Sequence, residues 1–206
     1  MMDTEIVWTC LEYFGVFTAL IYLYLELLQK PLMWIVGGIS SAVYMAVFAY
    51  SRIYADMCFN SYYVAMSFYG FMLWRRSLRD GKQNPTESKV IEYSNISPRQ
   101  IIWLLISGLL CYAGICSILT HYTDSPIPQW DALTTSLSII ATWMLAKRLI
   151  QHWLLWIVIT AVSRYLYYLR GLYPTMCLYT LYTAASIWGF FLWYNKGIQI
   201  KDYVKE

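Results

Sequence analysis

Apolar residues run through this chain in blocks of about 20, the length an α-helix needs to cross the hydrocarbon core of a bilayer. Seven such blocks, at 6–28, 33–50, 54–74, 101–119, 132–146, 153–169 and 173–193, predict seven spanning helices. The fifth is short and rich in Ser and Thr, and the sixth carries Arg164. One long polar stretch, RRSLRDGKQNPTESKVIEYSNISPR at 75–99, separates the third block from the fourth and is expected to be a mobile loop.

The pattern repeats. IYADMCFNSYYVAMSFYGFMLW at 53–74 returns as LYPTMCLYTLYTAASIWGFFLW at 172–193, with ten identities in 22 positions at a constant offset of 119. The offset holds outside this window, where Glu12 falls on Asp131 and Trp34 on Trp153. Helices 1, 2 and 3 therefore correspond to 5, 6 and 7, and helix 4 is left as a linker. This predicts an all-α integral membrane protein in a 3+1+3 plan: one transport domain over 1–206, with repeat one at about 6–74, the loop at about 75–99, the linker helix at about 101–119 and repeat two at about 131–193. Because the linker crosses once, the two repeats run parallel. Parallel-repeat carriers hold their substrate near the midplane between the halves.

Composition agrees with membrane residence: 59% apolar, 18% aromatic and 13% charged, where soluble chains carry about 25% charge. Charge fixes the expected orientation. With the N-terminus outside, Lys30, Arg75, Arg76, Arg79, Lys82, Lys89, Arg99, Lys147, Arg148, Lys196, Lys201 and Lys205 all face the cytoplasm, while only Arg52 and Arg170 lie outside. The C-terminus is then inside. Asp3 and Glu5 precede the first apolar run, so that run reads as a first spanning helix and not as a cleaved signal. The five cysteines, Cys10, Cys58, Cys111, Cys116 and Cys177, lie in apolar runs without metal-ligand spacing and read as small packing residues.

Polar and small positions of the duplicated helices fall on one stripe: Asn60, Tyr63, Ser67, Gly70 and Trp74 in the first copy, Tyr179, Tyr182, Ser186, Gly189 and Trp193 in the second. Lipid offers such groups no partner, so the stripe faces protein or a cavity. Helix packing and substrate contact both fit Ser67 and Ser186; Asn60 favours a cavity, being costly elsewhere. Helix 6 presents Trp153, Trp156, Thr160, Ser163 and Tyr167 along one face, suited to a cationic or flat aromatic ligand. For Trp153 an interfacial belt is an equal alternative. The copies differ at Asn60 against Tyr179 and at Tyr69 against Trp188, where a symmetric scaffold could grip an asymmetric ligand. Arg164, with Glu12 or Asp131 at similar depth, is a candidate outer gate; snorkelling to the interface is its alternative.

Absent features narrow the mechanism. There is no phosphate-cradling Gly-rich loop ending in Lys-Ser or Lys-Thr. His121 and His152 have no catalytic or metal-ligand partners at recognisable spacing, and the one acid deep in a spanning block, Glu26, lies near the inner end of helix 1. No enzyme, cofactor, metal or nucleic-acid partner is expected, and passive transport along the substrate gradient is the simplest mechanism left.

The segments RIYADMCFNSYYVAMSFYGFMLW and DALTTSLSIIATWMLAKRLIQHWLLWIVIT, the pair Trp153-x-x-Trp156, the Gly171-Leu172-Tyr173 turn and the Tyr69-Gly70 ending of helix 3 resemble the PnuC-type vitamin transporters across nearly the whole chain. The resemblance implies a 3+1+3 fold, a homotrimer in the bacterial inner (cytoplasmic) membrane, and facilitated diffusion of an unphosphorylated vitamin that a cytoplasmic kinase then traps. Nicotinamide riboside is the family's usual substrate, and relatives carry thiamine or riboflavin. The chain departs from the nicotinamide riboside pattern: the Asn expected four residues after the second Trp is Thr160, the Gln and Asn of helix 3 are Asn60 and Ser67, and the Asn before the helix 7 Gly is Trp188. Such losses of matched hydrogen-bond partners change discrimination strongly, and thiamine, a cationic aromatic without ribose, becomes a close rival. A SWEET-type sugar carrier shares the helix plan, and a non-transporting membrane sensor is the alternative from another class. The substrate-binding set read from the sequence is Trp153, Trp156, Thr160, Tyr167, Asn60, Tyr63, Ser67, Tyr179, Tyr182 and Trp188, with Glu12, Asp131 and Arg164 as gate.

Overall fold

Every apolar block folds as a helix, since a backbone surrounded by apolar side chains must satisfy its own hydrogen bonds. The computed structural model describes residues 2–50, 54–80, 94–123, 126–169, 171 and 173–203, the side chains of 2–12, 54–56, 77–80, 174–175 and 196–203 excepted. The chain divides into two compact units, Met1–Ile91 and Glu92–Glu206. The first holds α1 (Met2–Leu27), α2 (Leu32–Tyr50) and α3 (Tyr54–Asp80); the second holds α4 (Pro98–Tyr122), α5 (Pro128–Ala146), α6 (His152–Leu169) and α7 (Tyr173–Tyr203). Among the described residues, α2, α4 and the stretch 176–195 of α7 are long and apolar enough to cross a membrane.

The turn between the first two helices of each repeat is built identically. Helix α1 ends with Gln29 N–H donating to the Glu26 carbonyl (2.9 Å) and Lys30 N–H to that of Leu25 (2.9 Å), with Gln29 at φ 56°. Helix α5 ends with Arg148 N–H on Leu145 (2.9 Å) and Leu149 N–H on Met144 (2.9 Å), with Arg148 at φ 58°. These are paired left-handed closures of the Schellman type, 119 residues apart. The next helix starts alike in both: Met33 N–H reaches Lys30 (3.1 Å) and His152 N–H reaches Leu149 (3.1 Å). Side chains differ almost throughout these turns, so the shared backbone geometry supports duplication independently of the residue identities.

Helix α5, short and hydroxyl-rich, packs between α4 and α6 and is the most buried of the described helices, with Ala132, Ser136, Ser138, Ala141, Thr142 and Leu145 among its buried residues. Its hydroxyls fold back onto preceding carbonyls: Ser136 to Leu133 (3.0 Å), Ser138 to Thr134 (2.8 Å) and Thr142 to Ser138 (2.8 Å). Small polar residues can thus serve a close helix contact without leaving a donor unpaired. Helix α4, by contrast, contributes no buried residue.

Two boundaries differ from the sequence expectation. Helix α3 continues past Trp74 to Asp80, and α7 continues past Trp193 to Tyr203. Charge ends the apolar pattern there but not the helix: in α3 no Gly or Pro intervenes before Gly81, and Arg75 lies over the Phe71 ring (6.0 Å), a contact between side chains one turn apart, while α7 continues through Gly197. The end of the 75–99 stretch is also not a free loop. Ser94 N–H donates to Arg148 O (3.0 Å), Ile150 N–H to Ser94 O (3.3 Å) and Gln151 Nε2 to Asn95 Oδ1 (3.1 Å). Ser97 then caps α4 in a reciprocal box with Gln100, ahead of Pro98 in the first turn. Residues 81–93 lie outside the described residues.

Candidate functional site

In the second unit α6 and α7 meet along a seam with three rungs at seven-residue intervals on α6. At the first, Trp153 stands edge-on to Trp193 (5.6 Å between centroids, 86° between planes) and against Gly189, where a Cβ would come within 2.6 Å of the indole. His152 packs on both indoles, at 4.7 and 5.0 Å. At the second, the Thr183 and Thr160 hydroxyls lie 3.0 Å apart, and each also reaches a carbonyl of its own helix, Thr160 that of Trp156 (2.7 Å) and Thr183 that of Tyr179 (2.8 Å). At the third, the Tyr167 ring lies 4.9 Å from that of Tyr179, which in turn stands edge-on to Tyr182 at 5.6 Å. A seven-residue spacing keeps one face of α6 towards α7 over the full contact.

The first unit carries the first rung alone in the same form. Trp34 is edge-on to Trp74 (6.0 Å, 83°) and covers Gly70 so closely that a Cβ there would collide with the indole. All four tryptophans are exposed by no more than 2%. Trp153, for which the sequence left belt and ligand contact open, thus occupies a third kind of place: the interior of a duplicated Trp–Gly–Trp lock. Its register partner Trp34 was the available signal.

Around this shared lock the two units diverge. On α2, Gly37 faces Tyr22 of α1, with a Cβ there 3.0 Å from the ring, and Gly38 faces Ser67 of α3 (3.2 Å). The register equivalents are Trp156 for Gly37 and Ala141 for Tyr22. Each pair of positions holds one bulky aromatic and one small residue, but the aromatic comes from α1 in the first repeat and belongs to α6 in the second. Trp156 is half-buried, and its indole N–H is buried without a hydrogen-bond partner, so it has a donor to give a ligand. Tyr22 and Thr183 are residues that the sequence pattern alone did not single out; for Tyr22 the signal was Gly37 in the register of Trp156.

The remaining candidates fall as follows. Tyr63 is half-buried and packs on Phe59 (4.7 Å) and Tyr62 (5.6 Å). Asn60 is half-buried, and Ser67 and Ser186 are buried. Trp188 is 65% exposed and stands off the seam that holds Tyr179, Tyr182 and Gly189. Arg164 is exposed and Asp131 half-buried in the first turn of α5, and no ion pair joins those two. The side chain of Glu12 lies outside the described residues. Among the described residues no cluster of His, Cys, Asp or Glu could hold a metal ion.

Known proteins share this architecture. The chain is 23% identical over 210 aligned positions to the nicotinamide riboside transporter PnuC of Escherichia coli strain K12, covering 91% of this chain and 86% of that protein. It is 27% identical to the protein of that name from Neisseria mucosa, over 76% of this chain and 61% of the relative. The crystal structure of a vitamin B3 transporter PnuC superposes with a TM-score of 0.71 at 22% identity, covering 93% of this chain and 83% of the other, which establishes the common fold. The family model described as nicotinamide mononucleotide transporter matches residues 9–195, and the chain therefore belongs to that family of membrane transporters.

Proposed function

We propose that the chain mediates facilitated diffusion of an unphosphorylated B-type vitamin across the bacterial inner membrane, with nicotinamide riboside as substrate. The observation that carries this reading is the aromatic face of α6, where the Trp156 indole N–H has no hydrogen-bond partner and, about three turns further along the helix, Tyr167 packs against Tyr179 of α7, within a fold shared with transporters named for nicotinamide riboside. Stacking on Trp and Tyr suits a flat cationic ring, at about 0.5–2 kcal/mol per desolvated contact. Trp156, Tyr167, Tyr179 and Tyr182 are the ligand-facing set of repeat two; Asn60, Tyr63 and Ser67 are that of repeat one. Trp153 and Thr160 shape the wall from behind, and Trp188 has a peripheral role. Arg164 and Asp131 remain gate residues by their position at one end of the repeat.

Thiamine is the second reading. It is favoured by Thr160, whose hydroxyl is already engaged by Thr183 and the Trp156 carbonyl, leaving no amide at a position where the family's riboside carriers have one. A homotrimer with the N-terminus outside and the C-terminus inside, coupled to a vitamin kinase that traps the product, completes the proposal; the carrier itself performs no chemistry. Titration of purified protein with nicotinamide riboside, thiamine and riboflavin tests it. Sub-micromolar binding of the first alone supports the primary reading, of thiamine alone the second, and binding of none overturns both.

A further inference from the structure

Glu26 is the one buried acid among the described residues, 4% exposed near the end of α1. An ionisable group inside a membrane helix is expensive and persists where it has work to do. The second repeat shows that the fold does not require it. At the equivalent position, after the same left-handed closure, stands Leu145, fully buried. One turn earlier the same contrast recurs: Tyr22 in the first repeat against buried Ala141 in the second. Glu26 follows Tyr22 by one turn of α1, and the Tyr22 ring and Ser67 of α3 both lie against Gly37, one turn from Tyr63, so acid and phenols form one neighbourhood within the first unit. Tyr63 has a register partner in Tyr182, whereas Glu26 and Tyr22 have Leu145 and Ala141 as theirs.

We propose that Glu26 is the charge selector of the carrier, giving the first repeat a negative potential that favours ligands with a permanently cationic heteroaromatic ring over uncharged ones of the same shape. The inference rests on the vitamin reading above, whose two substrates share this chemistry: an N-alkylated pyridinium in nicotinamide riboside, an N-alkylated thiazolium in thiamine. Contact is not required. At an effective dielectric of about 20, unit charges about 12 Å apart still interact by enough for a factor of about ten in affinity. Glu26 therefore acts through the field around Tyr22 and Tyr63, whose ring faces also favour a cation, and is a positioning and selecting residue without being a wall of the path.

The test compares binding of nicotinamide riboside with that of its uncharged 1,4-dihydro form, by calorimetry on wild-type protein and on Glu26→Gln. The wild type is expected to prefer the cation, and the variant to lose about tenfold of that preference, with affinity for the neutral form changing less than about threefold. A cation-to-neutral ratio equal in both proteins overturns the proposal, since a merely structural role would lower both affinities together. If the wild type binds thiamine instead, thiamine and its uncharged analogue with a thiophene in place of the thiazolium, which keeps the flat ring, replace the pair. If it binds none of these, the vitamin reading fails and takes the inference with it, an outcome distinct from an unchanged ratio. Should Glu26→Gln not fold, Glu26→Leu installs the residue that the second repeat already accommodates and makes the same measurement. Failure of both to fold would make Glu26 a structural requirement and would also overturn the assignment.

Discussion

The helices α1–α2–α3 and α5–α6–α7 close their turns with the same hydrogen bonds and pin their last two members with the same Trp–Gly–Trp lock, yet fill the space around that lock differently. In the first repeat Tyr22 faces Gly37 and Glu26 is buried one turn further along α1; in the second, Trp156 takes the register of Gly37, and buried Ala141 and Leu145 take those of Tyr22 and Glu26. What duplication kept is what holds helices at a fixed separation. What it released is polar and aromatic character, which a ligand without symmetry can exploit. The repeats are thus internal controls for one another, and substitutions made in pairs separate scaffold from recognition.

The largest effect belongs to the lock. Trp34→Ala and Trp153→Ala each remove a fully buried indole and should each cost about 3–5 kcal/mol in unfolding free energy, and Gly70→Val and Gly189→Val should also destabilise by overpacking against those indoles. Unfolding in detergent, followed by tryptophan fluorescence, measures this. Equal losses in the two repeats would establish the lock as shared scaffold; a loss confined to one repeat would break the comparison.

Second in size is Trp156. Its truncation to Ala is expected to weaken vitamin binding about 2- to 30-fold, the range of one aromatic contact with a cationic ring, while costing less stability than Trp153→Ala because Trp156 is only half-buried. Calorimetric titration alongside melting of both variants sharpens the contrast. If Trp153→Ala, corrected for its lost stability, weakened binding more than Trp156→Ala, the division between them would be reversed.

How much of this could be read from the sequence depends on which residues carried a repeat signal. Ten identities at one offset exposed the helix order, Gly70 with Gly189 and Trp74 with Trp193, because both copies kept the residue that the packing needs. The left-handed closures were invisible: Gln29 and Arg148 occupy positions where Gly is usual, and a backbone conformation without its usual residue leaves no mark in composition. The Thr160–Thr183 pair was missed for the opposite reason. Thr183 aligns with Val64, so no repeat flagged it, and a Thr in an apolar helix commonly just returns its hydroxyl to the preceding turn. The depth of Trp153 was ambiguous because a belt tryptophan and a lock tryptophan both sit near a helix end; only the packing of Gly189 against it distinguishes them.

The Thr pair supplies the third prediction. Thr160→Val and Thr183→Val should each lower stability by about 1 kcal/mol, the net worth of a hydrogen bond. The double substitution should cost clearly less than the sum, since the one bond between the two hydroxyls is lost with either, while each hydroxyl otherwise keeps its own carbonyl, Trp156 for Thr160 (2.7 Å) and Tyr179 for Thr183 (2.8 Å). The first repeat lacks this rung, with Ser41 and Val64 at the equivalent positions, so Ser41→Val paired with the native Val64 should show no comparable coupling. Additive losses in the second repeat would mean that the rung contributes nothing beyond its two separate hydroxyls.

The smallest effect has the opposite sign. Gln29 and Arg148 hold φ near 56° and 58°, a region that costs a residue with a Cβ about 1 kcal/mol or more relative to Gly. Gln29→Gly and Arg148→Gly relieve that strain, at the expense of a more flexible unfolded chain, so each should raise stability by about 0.5–1 kcal/mol. The hydrogen bonds of both closures run through backbone atoms, as does the one from Ser94 N–H to the Arg148 carbonyl, and none depends on the side chain removed. Thermal melting should therefore give an upward shift at the half-buried Arg148 and a smaller one at Gln29, whose buried side chain takes its packing with it. A stabilisation at one position only would show that the two turns, alike in their hydrogen bonds, differ in what their side chains contribute.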